Sequence, residues 1–212
     1  MRRELDYYPT PAWMVRRLLG GICLMSNSWV EPAAGEGHLI RAVNQVRPGV
    51  TWVAIEARAE CRDALVEAVG DPARVLCPAR VPVVDFPGRH GVCITNPPFG
   101  QALEFVRWGM EHAETTCLLM RLGMLASEER AEFMRTHAPD VLVLPNRASF
   151  TGDGQTDVHD LAWFVFDGQE VPRHQGRISV LPTTSAGERQ ADELELGRWA
   201  GKQMRLGLEV KA

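Results

Sequence analysis

The chain has 212 residues, 45% of them apolar, with 23 Lys and Arg against 27 Asp and Glu for a net charge of −4. That length suits one well-formed core rather than two full domains, and the mild acidity excludes a global basic field while leaving room for a local nucleic-acid-binding patch. No apolar run is long enough to cross a bilayer, and the opening MRRELDYY lacks the apolar core of a secretion signal, so the expectation is a cytoplasmic protein with no membrane partner.

In chain order, PAWMVRRLL reads as a helix with Pro11 in its first turn and Thr10 as N-cap. SWVEPAAG is a short strand ending in a turn. HLIRAVNQV is helical by spacing, with Leu39, Ile40, Val43 and Val46 on one side. TWVAIEA is a strand and ECRDALVEAVG a helix closed by Gly70. RVLCP and VPVVDF read as a strand and its exit. GVCITN is a buried strand, QALEFVRWGMEHA a helix and TTCLLMRLGML a strand. SEERAEFMRTHA is a helix capped by Ser127, with Arg130 near a capping-box position. DVLVLP and LAWFVFDG are strands with no convincing helix between them. This alternation predicts an α/β fold: a mostly parallel sheet with one antiparallel edge strand and helices on both faces. Residues 1–181 form the predicted domain. Residues 182–212 are a polar tail that either makes a terminal helix or stays loosely attached. The five cysteines are scattered and never spaced C-x-x-C, which fits reduced thiols and gives no zinc framework, so no metal is expected.

In such a sheet ligands bind beyond the carboxyl ends of the strands. The first strand ends in EPAAGEG, where Glu31, Pro32, Gly35 and Gly37 make a tight turn into a helix N-terminus. The place of a third fingerprint glycine is Ile40, so this is no dinucleotide fingerprint. Glu56 ends the second strand, about 20 residues on, where a carboxylate can accept from both hydroxyls of a ribose. VVDFP follows, with Asp85 able to accept from an exocyclic amine and Phe86 able to lie against a base. Taken alone this pair reads first as an Asp in a turn before proline, which is common.

The string GVCITNPPFG is the most specific. An apolar strand stops at two prolines, which cannot continue a central strand. Asn96 offers an amide oxygen, Pro97 a carbonyl whose direction is restricted by Pro98, and Phe99 a ring face. Two acceptors beside a stacking ring make a receptor for a planar primary amine.

This set resembles the class I S-adenosylmethionine-dependent methyltransferases that modify exocyclic amines, in particular the DNA adenine-N6 enzymes with their [DNS]-P-P-[YFW] motif. The resemblance spans about Tyr7 to Asp167. YYPTPAWMVRRLL, with Tyr8, Thr10 and Pro11, is similar to that family's N-terminal cofactor motif, and EPAAGEG to its [DE]-P-x-x-G-x-G loop. Glu56 matches the ribose ligand, Asp85 the residue that meets the cofactor's adenine, and Asn96, Pro97, Pro98 and Phe99 the catalytic motif; Phe86 and Asn96 are also expected at the cofactor and Phe99 at the substrate. NRASFTGDGQTDVHDLAWFVF resembles a segment of small phage and prophage methyltransferases and marks Arg147 and Phe150 as substrate contacts. The resemblance implies a Rossmann-like sheet, S-adenosylmethionine as cofactor and methyl transfer to an exocyclic amine, adenine N6 in DNA first. RNA adenine or guanine, a protein glutamine amide and a non-catalytic cofactor-binding subunit stay open. The chain has no room for the separate recognition domain of restriction–modification relatives. Loops at residues 146–160 and just after Phe99, the C-terminal tail, a recognition partner or a second copy would read the target, with Arg107, Arg121 and Arg147 as candidate phosphate contacts.

Overall fold

The fold was obtained as a computed structural model that describes residues 9–81, 86, 88–147, 159–168, 176–192 and 194–196. Helix α1 (Ala12–Gly21) leads into β1 (Ser28–Glu31), α2 (His38–Val46), β2 (Thr51–Ile55), α3 (Arg62–Val69) and β3 (Val75–Leu76). Then come β4 (His90–Thr95), α4 (Ala102–His112), β5 (Ala113–Arg121), α5 (Glu128–Thr136), β6 (Asp140–Val143), β7 (Leu161–Asp167) and β8 (Ile178–Val180).

The eight strands form one sheet in the order β3-β2-β1-β4-β5-β7-β6-β8. Strands β1 to β5 are parallel, and β7 runs antiparallel to both β5 and β6. Side chains alternate between faces, as a pleated strand requires. Val92 and Ile94 of β4 join Trp163 and Val165 of β7 in the core under α1, α2 and α3. Cys93, Phe164 and Phe166 enter the opposite core with Phe105 and Val106 of α4 and Met134 of α5. Helices on both faces explain why the seven residues of β7 are all buried although its sequence shows no polar alternation. Trp29 and Trp52, opposite each other in register, meet edge to face at 5.4 Å.

The mostly parallel sheet with an antiparallel pair is present, and the pair lies one strand in from the edge because β8 adds in parallel beyond β6. Four local expectations change. Pro11, not Thr10, sits at the N-cap of α1, without a side-chain cap. The N–H of Trp13 instead donates to Asp192 Oδ2 at 2.6 Å, so the cap comes from the other end of the chain. Val46 is 46% exposed, and Ala42 takes its place on the buried face of α2. The strand expected through Leu125 stops at Arg121, and residues 122–125 coil into a 3-10 turn. Ser127 occupies the N-cap of α5 without a side-chain cap bond.

Beyond β8 the chain returns to α1. Residues 186–192 are helical. Arg16 bonds Glu188 at 3.1 Å and Asp192 at 2.8 Å, while Arg17 bonds Thr184 at 2.8 Å and Glu188 at 3.1 Å.

Candidate active site

The carboxyl ends of five parallel strands converge on one pocket of about 480 Å³. Each end brings a different group: Glu31 from β1, Glu56 after β2, Ala79 to Val81 after β3, Asn96 after β4 and Arg121 from β5. Sheet order reverses between β1 and β4, so the two strands part there and open a crevice. Pro9 and Thr10, just before α1, also line it.

The turn after β1 is built for close backbone approach. Gly35 and Gly37 have φ of 56° and 81°, in the left-handed region that a side chain disfavours. A Cβ on Gly37 would lie 2.7 Å from Ala68 Cβ, so this glycine also lets α2 seat against α3. Neither glycine lines the pocket wall, which is formed here by Glu31, Pro32, Ala33 and Ala34. The Gly35 N–H donates to Glu56 Oε2 at 2.7 Å, tying the glycine turn to the end of β2. The other carboxylate oxygen of Glu56 accepts from the Arg58 N–H and Nε, both at 2.9 Å. Glu56 is 7% exposed and lines the pocket, so these charge-assisted bonds hold it in one orientation there.

Glu31 is 3% exposed, and its Oε2 is buried without a hydrogen-bond partner. Burial first, and the nearby Glu56 charge second, push its carboxyl well above the usual carboxylate range. An acceptor stranded in this way at a pocket wall suits a cationic ligand group.

On the other side, Asn96, Pro98 and Phe99 line the pocket and Pro97 is buried behind them. The Arg121 guanidinium lies over the Phe99 ring, 4.1 Å from its centroid. The site thus gathers Thr10, Glu31, Pro32, Glu56, Asn96, Pro98 and Phe99, with Pro11, Gly35, Gly37 and Pro97 shaping the segments behind them. It does not gather Phe86, which stacks with His90 and meets Trp108 and His112 at a tilt, at centroid distances of 5.2 to 5.7 Å. His90 opens β4 and His112 closes α4, so that cluster sits at the amino end of the parallel strands, opposite the pocket. Arg107 lies over Phe133, and Arg147 pairs with Asp160 at 3.3 Å, both away from the pocket lining. Tyr8, Asp85 and Phe150 lie outside the described residues. The sequence reading did not single out His38, Arg58 or Gln101, which also line the pocket. Only Arg58 carried a signal, standing two residues after an acidic strand end.

No family model and no curated protein matches the sequence. Solved structures do match the fold. A protein described as an RNA methyltransferase from Pyrococcus horikoshii superposes with a TM-score of 0.57 at 18% identity, over 77% of this chain and 88% of that one. The 23S rRNA methyltransferase ErmE gives 0.56 at 15% identity, over 81% of this chain and 73% of that one. A type I restriction–modification methyltransferase subunit from Streptococcus thermophilus gives 0.54 at 12% identity, where this chain spans about half of its length (87% of this chain, 52% of that one). The chain has the class I methyltransferase fold. Open α/β sheets bind ligands beyond the carboxyl ends of the strands where strand order reverses, and this chain's pocket lies there.

Proposed function

We propose that this chain is an S-adenosylmethionine-dependent methyltransferase acting on the exocyclic amine of a nucleic-acid base, adenine N6 in DNA before others. The observation that carries the reading is that Asn96 and Phe99 open into the same pocket as Glu31 and Glu56. One pocket thereby offers an amine receptor beside a cradle for a cationic, ribose-bearing cofactor.

The residues fit that cofactor. The stranded Glu31 Oε2 suits its α-ammonium group, and Glu56 presents a fixed carboxylate to a ribose diol. A volume of about 480 Å³ lies within the usual range for such ligands. When bound, S-adenosylmethionine supplies a methyl group on a sulfonium cation.

The rest falls to the chain. Adenine N6 is a weak nucleophile because its lone pair is delocalised into the ring. The Asn96 side-chain oxygen and the Pro97 carbonyl would each accept one N6 proton, enriching the nitrogen and aiming its lone pair. Phe99 would hold the base plane by stacking, which offsets part of the cost of taking a base out of a duplex. The surplus proton then leaves to solvent. Positioning and electrostatics supply the acceleration, with no covalent enzyme intermediate.

The fold is shared with an rRNA methyltransferase and a restriction–modification subunit, which makes nucleic acid the first substrate to test. The test is transfer of a tritiated methyl group from S-adenosylmethionine to duplex DNA, single-stranded DNA, RNA and protein extract, with the labelled product identified. N6-methyladenine in DNA is the expected product. Label confined to RNA would move the substrate, label on glutamine would replace a base with a protein, and cofactor binding without any transfer would make the chain a non-catalytic subunit.

A further inference from the structure

Arg121 is the last residue of β5, its guanidinium lies over the Phe99 ring, and both side chains line the pocket. Its Nε is buried and has no hydrogen-bond partner. A buried guanidinium donor is ordinarily matched by an oxygen, and charge-assisted bonds of that kind are the strong ones. Here the cation rests on a ring instead, an interaction worth far less. One face of the Phe99 ring is therefore occupied, by a group with a donor still unspent. Of the other arginines that line the pocket, Arg58 is committed to Glu56, and Arg80 lines the wall after β3.

Resting on the reading of Asn96 to Phe99 as an amine receptor, we propose that Arg121 holds the place of the target base in the free protein and exchanges with it on substrate binding. A guanidinium and a base are both planar and both stack on an aromatic face, so one can replace the other without rebuilding the pocket. The displaced guanidinium then turns its fork to a phosphate that the nucleotide carries with it. The exchange selects the substrate class. A nucleotide displaces the cation and also satisfies it. A glutamine side chain or an isolated nucleoside displaces it and supplies no anion.

The test compares full-length wild type, Arg121→Ala and Arg121→Lys in methyl transfer to adenosine and to a single-stranded oligonucleotide of about 12 residues with one adenine. Arg121→Ala should raise the KM for the oligonucleotide on the order of 10-fold, as for a lost charged hydrogen bond. It should also flatten the dependence of log kcat/KM on log salt by about 0.7, the share of one phosphate. The same variant should raise kcat/KM for adenosine about threefold or more, because the ring is uncovered. Arg121→Lys keeps the charge and loses the flat stack, so it should stay within about threefold of wild type on the oligonucleotide while improving on adenosine. Opposite shifts on the two acceptors cannot come from a damaged fold. Loss on both acceptors in both variants, or no shift on either, would overturn the exchange and leave the base-amine reading standing. Wild-type protein that methylates neither acceptor, or only protein glutamine, would overturn that reading and the exchange with it.

Discussion

At the scale of single residues, the two pocket carboxylates are in opposite bonding states. Glu56 is bonded on both oxygens, so Glu56→Ala removes a ribose acceptor and frees the Gly35 turn together. Cofactor affinity should weaken by about 1.5–3 kcal/mol, toward the upper end of that range; calorimetry showing unchanged affinity would remove the ribose assignment. Glu31 is stranded, and its raised pKa means that the folded state binds a proton more tightly than the unfolded chain. Stability therefore falls as pH rises from the ordinary carboxylate range through the raised value, and the cost is fully present above it. Glu31→Gln should raise the Tm of the cofactor-free protein at neutral pH by on the order of 2–4 °C while weakening cofactor binding. That gain should shrink as pH is lowered toward the ordinary carboxylate range. A Tm gain independent of pH would show that ionised Glu31 is not its source. Phe99→Ala should weaken substrate capture by about 1–3 kcal/mol, read in KM. That Glu31, Glu56 and Asn96 stand together at strand ends was legible because each belongs to a short string that closes an apolar strand. Glu31's stranded oxygen was not, since burial of one atom depends on the packing of the whole turn.

At the scale of elements, the N-terminus of α1 depends on the C-terminal segment. Asp192, 9% exposed, accepts from the Trp13 N–H and from Arg16. Asp192→Ala should cost about 1–2 kcal/mol, as for a lost helix cap with a charge partner, and should raise the KM for cofactor because Pro9 and Thr10 line the pocket just ahead of α1. Denaturant unfolding with an unchanged midpoint would contradict the first half of that expectation. This long-range cap was invisible in sequence. Thr10 and Pro11 make a good local start signal, whereas the residue that caps the helix lies 179 positions away from Trp13. The short strand β8 was hidden for a related reason. Its three residues are all exposed, so they carry no burial pattern, and only pairing with β6 makes them a strand. Elements with strong periodicity fared better: α2, α4 and β7 lie where their apolar spacing put them, and Gly70 closes α3 in the left-handed conformation that favours glycine.

At the scale of the whole molecule, the alternation of strands and helices carried the sheet class, and the class carried the place of the site. What alternation does not encode is strand order. The position of β7 between β5 and β6 follows from its two apolar faces, which demand cover on both sides of the sheet. That order leaves the crevice between β1 and β4 as the place where Glu31 and Glu56 meet the NPPF turn. The central claim is that Asn96 acts on the reacting amine and not on the cofactor. Its most direct test is mass-spectrometric measurement of N6-methyladenine formed in single-stranded DNA by wild type and Asn96→Ala, with calorimetric affinity for S-adenosylmethionine measured on both proteins. The account predicts that Asn96→Ala keeps cofactor affinity and loses turnover by on the order of 10²-fold or more, since the lost bond matters chiefly in the transition state. Methylation of adenine by Asn96→Ala at the wild-type rate would contradict it.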